Sequence, residues 1–244
     1  MSSTVVIIPS RLQAKRLPNK PLKIINQKEM ILHVHNLAME SKVGEVLVTT
    51  PDKIIFDLII KNGGKSFISN NIHETGTDRV FEAFQNFYSN NPQIIINLQG
   101  DMPNLDPKDI SRIKNYILKG NCDICTLASN IENSEDIKDK NIVKVITKKS
   151  INNANFSEAC DFKREVSRED DKNIYHHIGI YGFTSEALIR YVNLKRSKLE
   201  LERNLEQMRA MENGMKVHVG FTDSKPLSVD TEKDFLKIKK VMEK

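Results

Sequence analysis

Four cations, Arg11, Lys15, Arg16 and Lys20, crowd into the stretch RLQAKRLPNK, which Pro18 and Pro21 keep from forming an ordinary helix. Arginine forks and lysine point charges are what a polyphosphate requires. A basic loop that simply faces water has the same composition. Two aspartates form a second set. Asp101 follows the apolar run IIINL and Gly100, and Asp230 lies between Val229 and a charged helical stretch. A carboxylate at the end of a buried strand suits a divalent metal. A turn or cap role also explains Asp101, and a helix N-cap also explains Asp230. His176 and His177 are adjacent in YHHIGIYGFT, so they cannot both enter one pocket unless the strand bulges. Cys122-x-x-Cys125 is half of a zinc pattern without a second pair, which favours core thiols. No Ser-His-Asp or Cys-His arrangement has a convincing context for a nucleophile.

The elements that must hold these groups read as α/β. Val5–Ile8 are all β-branched and predict a strand buried on both faces, ending at Pro9 and delivering the basic loop to its C-terminal edge. Apolar spacing predicts helices over 30–41 and 54–62, strands over 45–50 and 66–69, and a helix over 80–88 that Thr77 or Asp78 could cap. QIIINLQGD (93–101) is a central strand. Further helices are expected from 107 to near Gly120, over 199–214 and from Thr231 onward, with strands over 123–131, 143–147, 175–184 and 217–222. On the helix over 199–214, Glu206 and Arg209 are spaced as surface partners. Strands alternating with helices imply βαβ units and a mostly parallel sheet, and ligands bind such sheets at the C-terminal strand ends. Residues 134–168 are polar and charged and read as an insertion with its own small sheet.

The 244 residues can bury a large core. A mean hydropathy of −0.43 and no apolar run of about 18 residues argue against a membrane span. MSSTVVIIPSR has no basic segment ahead of its apolar run, so a signal peptide is not expected. The net charge of +5 permits an anionic substrate, but the lysines are scattered without interleaved aromatics, which argues against nucleic acid. Three cysteines, an odd number, argue against a disulfide framework.

Several of these motifs resemble one family. Arg11-x3-Lys15-Arg16-Leu17-Pro18-x-Lys20-Pro21 resembles the signature of nucleotidyltransferases that activate sugar acids with CTP, and LPNKPL is most similar to the 3-deoxy-manno-octulosonate (Kdo) cytidylyltransferase family. Thr75-Gly76-Thr77-Asp78-Arg79 is similar to that family's Ser/Thr-Gly-Thr-acidic-Arg run. QGD before Pro103 resembles QGDEP, HHIGIYGF resembles RHLGIYGY, LERNLEQMR resembles LE-x2-E-x-LEQLR, and Ser228-Val229-Asp230-Thr231 contains VDT. The resemblance runs from Val5 to about Leu236.

It implies an α/β, nucleotide-diphospho-sugar transferase-like fold over residues 1–244. The mostly parallel central sheet is flanked by helices, and residues 134–198 form an inserted β-rich segment for dimerisation and part of the sugar site. The implied reaction is attack by the anomeric hydroxyl of Kdo on the α-phosphorus of CTP, giving CMP-Kdo for lipopolysaccharide synthesis and releasing pyrophosphate. The implied nucleotide site is Pro9, Ser10, Arg11, Arg16, Lys20, Thr75, Gly76, Thr77, Arg79 and Gln99. Asp101 and Asp230 are the implied Mg²⁺ ligands and, with Arg11, Arg16 and Lys20, the catalytic group. Gln99, His177, Tyr181, Glu206 and Gln207 are implied on the sugar side. A cytoplasmic homodimer without nucleic-acid or membrane partners is expected. Met102, Glu158 and Arg203 depart from the family pattern, which has Glu, Arg and Glu there. They leave open a related sugar acid, amino-substituted or sialic-acid-like, or a nucleotide-binding homologue without turnover.

Overall fold

Val5–Ile8 form the centre of β1 (Thr4–Pro9), and all six of its residues are buried. A run with no polar position fits only a strand covered on both faces. The computed structural model describes residues 3–14, 16–70, 72–88, 92–166 and 173–243. Lys15 of the basic stretch and residues 167–172 of the expected insertion lie outside these. After β1 come β2 (Ile24–Ile25), β3 (Lys28–Glu29), α1 (Met30–Glu40), β4 (Glu45–Thr50), α2 (Lys53–Lys61), β5 (Lys65–Ile68), α3 (Gly76–Phe87), β6 (Ile94–Leu98) and α4 (Pro107–Ile117). Then follow β7 (Ile124–Ser129), α5 (Ser134–Lys138), β8 (Lys144–Thr147), β9 (Phe156–Lys163), β10 (Ile174–Thr184), α6 (Ser185–Val192), α7 (Lys198–Arg203), α8 (Gln207–Glu212), β11 (Val217–Phe221) and α9 (Glu232–Met242).

The chain divides into two compact units, Met1–Lys114 with Pro226–Lys244, and Asn115–Lys225. In the first, the main sheet has the strand order β5-β4-β1-β6 with parallel neighbours, and β2 and β3 pair antiparallel beside it as a separate hairpin. The basic loop leaves the C-terminal end of β1 and is tied into the core at Leu17. Leu17 packs with Ile25, Met30, Val229, Phe235 and Ile238. Burying a side chain of this size contributes roughly 1.5–3 kcal/mol. Ile25 comes from the small hairpin of β2 and β3, whose turn residues Asn26 and Gln27 both have positive φ, 46° and 62°. This core therefore fixes both the loop and the start of α9, which follows Asp230.

In the second unit the order is β10-β7-β11-β9-β8, and β8 also pairs with β10, so the five strands close into a ring of pairings. Among the described residues β7 and β11 run parallel, while β10 with β7, β10 with β8, β11 with β9 and β8 with β9 run antiparallel. The strands of the chain are thus mixed, parallel in the main sheet of the first unit and mainly antiparallel in the second. The polar stretch expected to hold one clear strand holds two among its described residues, β8 and β9, besides α5. The helix expected over 199–214 is broken. Asn204 adopts the left-handed region at φ 52°, which ends α7 and separates it from α8. No described helix is long and apolar enough to cross a membrane.

Candidate active site

The basic loop passes through a short 3₁₀ turn at Lys20–Leu22, entered from Asn19 at φ 56°. This turn carries Lys20 inward, leaving its side chain 15% exposed. After the neighbouring strand β6, Gly100 lets the chain turn close against Pro9 at the end of β1. A Cβ there would lie 3.1 Å from the Pro9 carbonyl oxygen and 3.3 Å from Ile31 Cδ1. Asp101 follows at once, and its carbonyl oxygen accepts from Val229 N–H at 3.0 Å, which brings the Asp230 segment alongside.

The three groups meet there. Lys20 Nζ lies 2.9 Å from Asp101 Oδ2 and 3.3 Å from Asp230 Oδ1. Arg16 Nη2 reaches the other oxygen of Asp230 at 3.0 Å. Burial acts against the Lys20 charge, but Asp101 and then Asp230 outweigh it and hold its pKa above the ordinary lysine value. Two carboxylates this close need a cation between them, and the protein supplies one from its own loop. Asp230 is not the cap of α9. Thr231 caps it, accepting from Asp234 N–H at 3.2 Å in a reciprocal capping box. Asp230 is thereby released for its contacts with Lys20 and Arg16.

Around this cluster, Thr75 and not Thr77 or Asp78 caps α3, which begins at Gly76 rather than at Val80. Asp78 completes the capping box. Thr77 is buried and accepts from Asn97 Nδ2 at 3.0 Å, while Asn97 Oδ1 accepts from Gln99 Nε2 at 3.0 Å. This relay orients Gln99, whose amide atoms lie 3.4 Å from where a Cβ on Gly76 would stand. Asn97 is a fully buried polar residue, and its break in the apolar run was the available signal for it. Arg79 is buried and donates to Ser69 Oγ at 2.8 Å; burial and then the like charge of Arg11 disfavour its charged form. Arg11 is exposed. The Ser10 hydroxyl is buried and has no hydrogen-bond partner among the described residues, while its N–H donates to the Thr49 carbonyl oxygen at 2.9 Å. Met102, which replaces the family's acidic residue, is buried.

The sugar-side candidates other than Gln99 belong to the second unit. The β10–β7 register shifts between Ile178 and Tyr181, so the strand does bulge. Thr126 pins the bulge. Its hydroxyl lies 2.8 Å from the Ile180 carbonyl oxygen, 3.1 Å from that of Ile178 and 2.9 Å from His177 Nε2. Carbonyls only accept, so the single hydroxyl proton goes to them and His177 donates from Nε2. His177 is buried with its ring edge-on to Phe162, and burial pushes its pKa down to about 3. Beyond the bulge, the buried Tyr181 hydroxyl donates to Gln207 Oε1 at 3.3 Å. The Glu206 carbonyl oxygen accepts from Tyr191 at 2.9 Å.

Arg209 lies buried rather than on the surface. It makes a buried two-point contact with Glu200, Nε–Oε2 2.9 Å and Nη2–Oε1 2.7 Å. Glu158 pairs with Lys148 at 3.3 Å. Arg203 pairs with Asp161 at 2.5 Å and donates to the Phe162 carbonyl oxygen at 2.8 Å. Cys122 and Cys125 are buried thiols, and burial raises Cys122 to about 12. Among the described residues no cluster of three or more His, Cys, Asp or Glu side chains could hold a metal unaided.

Comparison with known proteins gives a consistent likeness. The sequence profile of a family described as "Cytidylyltransferase" matches residues 5–217. The 3-deoxy-manno-octulosonate cytidylyltransferase of Brucella ovis is 37% identical over 232 residues, covering 95% of this chain and 92% of its own. The protein of that name from Rhodopseudomonas palustris is 39% identical, covering 95% and 94%. Among solved structures, a CMP:2-keto-3-deoxy-manno-octonic acid synthetase complexed with CTP matches with a TM-score of 0.86 at 32% identity, over 99% of both chains. The 4-diphosphocytidyl-2C-methyl-D-erythritol synthase of Anaerococcus prevotii, at 12% identity and a TM-score of 0.65, shares the fold.

Proposed function

Because the chain belongs to the cytidylyltransferase family, we propose that it transfers the cytidylyl group of CTP to Kdo, giving CMP-Kdo and pyrophosphate for lipopolysaccharide assembly. The observation that carries the reading is the meeting of Lys20 with both Asp101 and Asp230, beside Arg16, in a chain otherwise matched to Kdo-activating relatives over most of its length. The three departures from the family pattern do not argue for another sugar. Met102 fills core, Glu158 is paired with Lys148, and Arg203 clamps α7 to β9.

Attack of a sugar hydroxyl on the α-phosphorus needs positioning and charge stabilisation more than a protein nucleophile. Arg11, Arg16 and Lys20 neutralise the triphosphate. Pro9, Ser10, Thr75, Gly76, Thr77, Arg79 and Gln99 complete the nucleotide site, and the unpartnered Ser10 hydroxyl is a ready hydrogen-bonding group there. Two carboxylates that already share one cation suit Mg²⁺, which prefers one or two carboxylates plus phosphate oxygens and water. Asp101 and Asp230 would hold it. When bound, Mg²⁺ would neutralise charge developing on the phosphate and the attacking oxygen. Gln99, held by Asn97, also serves the sugar. In the second unit, Tyr181, Gln207 and Glu206 recognise the sugar acid, and His177 sets the bulge from which Tyr181 projects. The enzyme works in the cytoplasm as a homodimer, with residues 134–198 as its dimerisation segment.

Pyrophosphate release from CTP, measured with Kdo and then with amino-substituted and sialic-acid-like analogues, tests the assignment. Release with Kdo supports it. Release with another sugar acid alone changes the substrate, and none with any sugar removes the enzymatic reading.

A further inference from the structure

Asp52 stands at the N-cap position of α2, where an aspartate ordinarily accepts from its own helix. Its side chain makes no such bond. Instead Oδ2 accepts from the backbone N–H of Leu12 at 2.8 Å, 40 residues earlier. Asp52 is itself held firmly: its N–H donates to Thr50 Oγ1 at 3.1 Å, and its carbonyl oxygen accepts from Ile55 and Phe56 at 3.0 and 3.1 Å. Leu12 is the hub of the basic loop. Its carbonyl oxygen accepts from Ala14 N–H at 2.9 Å and from Asn19 N–H at 3.2 Å. Asn19, in the left-handed region, opens the turn that aims Lys20. The bonds therefore run without a break from Asp52 through Leu12 to Asn19, whose neighbour is Lys20. Arg11 adjoins the same hub.

We propose that Asp52 is a positioning residue for the triphosphate loop. Through the Leu12 N–H it fixes the backbone frame on which Arg11, Arg16 and Lys20 are presented, and it does not touch the substrate. This rests on the CTP reading given above. A charged acceptor on a backbone N–H is a strong restraint, and small misplacement of phosphate-binding groups is costly.

The test compares Asp52→Ala, Asp52→Ser and Asp52→Asn with the unaltered protein. Serine can cap α2 but is too short to reach Leu12, whereas asparagine keeps an acceptor at the right length. We expect Asp52→Ala and Asp52→Ser to lower kcat/KM for CTP by about 10- to 100-fold, chiefly through KM. The KM for the sugar acid should stay within about twofold, and amides of residues 11–20 should exchange hydrogen faster. Asp52→Asn should restore most of both. The inference is overturned if Asp52→Ser keeps the original KM for CTP, if Asp52→Asn is as impaired as Asp52→Ala, or if the only change is a lower melting temperature. An unaltered protein that does not use CTP removes the proposed function and this inference with it, and that failure is seen before any variant is made.

Discussion

Lys20 Nζ lies 2.9 Å from Asp101 Oδ2, and the same ammonium reaches Asp230 at 3.3 Å. With Arg16, two cations and two anions balance in one cluster. Replacing the ammonium changes that balance in a measurable way. Lys20→Met should lower kcat/KM for CTP by about 10- to 150-fold, the loss of one charge-assisted contact to a phosphate. It should also leave the carboxylates with an unbalanced negative charge. Mn²⁺, followed by electron paramagnetic resonance without nucleotide, should therefore bind Lys20→Met more tightly than the unaltered protein. Equal Mn²⁺ affinity in the two proteins would mean that Lys20 and the metal do not share the carboxylates.

Asp230→Asn separates charge from helix capping. Thr231 and Asp234 supply the capping box of α9, so the substitution leaves the cap alone. The lost Arg16–Asp230 pair is exposed, 53% and 36% at its two side chains, and such pairs contribute little stability, while Lys20, which loses its 3.3 Å charge contact with Asp230, keeps its closer one with Asp101 at 2.9 Å. The melting temperature should hold while turnover falls by two orders of magnitude or more at saturating Mg²⁺, on the order of 3 kcal/mol of transition-state stabilisation. Retained turnover would mean that Asp230 has no catalytic role.

Much of this arrangement can be read from residue order, and the misreadings have physical causes. The strands β1, β4 and β6 are nearly uninterrupted apolar runs, so their burial is explicit in Val5–Ile8, Val46–Val48 and Ile94–Ile96. The meeting of Asp101 with Asp230 is implied by strand ends and the family motif. The agent that joins them, Lys20, is not, because its direction depends on a 3₁₀ turn and a left-handed Asn19. Caps were misplaced by a residue or more because Thr75, Thr77, Asp78, Asp230 and Thr231 are all competent cappers, and only backbone geometry selects among them. The strand β9 alternates exposed Glu158 and Cys160 with small buried Ser157 and Ala159, a weak hydrophobic signal. The break at Asn204 is invisible to apolar spacing, since Leu201, Leu205 and Met208 keep helical intervals across it. Arg209 is spaced like a surface partner of Glu206, because nothing in the residue order reveals that it is buried against Glu200.

His177 gives a pH signature. Its folded pKa, about 3, is depressed by burial from an ordinary 6.5. The unfolded chain therefore takes up a proton that the folded chain refuses. Its contribution to stability is complete above pH 6.5 and is lost as pH falls toward 3, at up to about 1.4 kcal/mol per pH unit. Between pH 6.5 and 5, above the carboxylate range, His177→Gln should show a shallower fall in unfolding free energy than the unaltered protein, measured by urea titration. Parallel curves would mean that His177 is charged within the fold.

The central claim is that this chain joins the α-phosphorus of CTP to the anomeric oxygen of Kdo. Phosphorus NMR of CTP, Kdo, Mg²⁺ and the purified protein follows that bond directly. The account predicts loss of the three CTP resonances and growth of one phosphodiester signal matching CMP-Kdo, with one equivalent of pyrophosphate, and no such signal when ATP replaces CTP. Intact CTP in the presence of Kdo, or an equal phosphodiester yield from ATP, would contradict it.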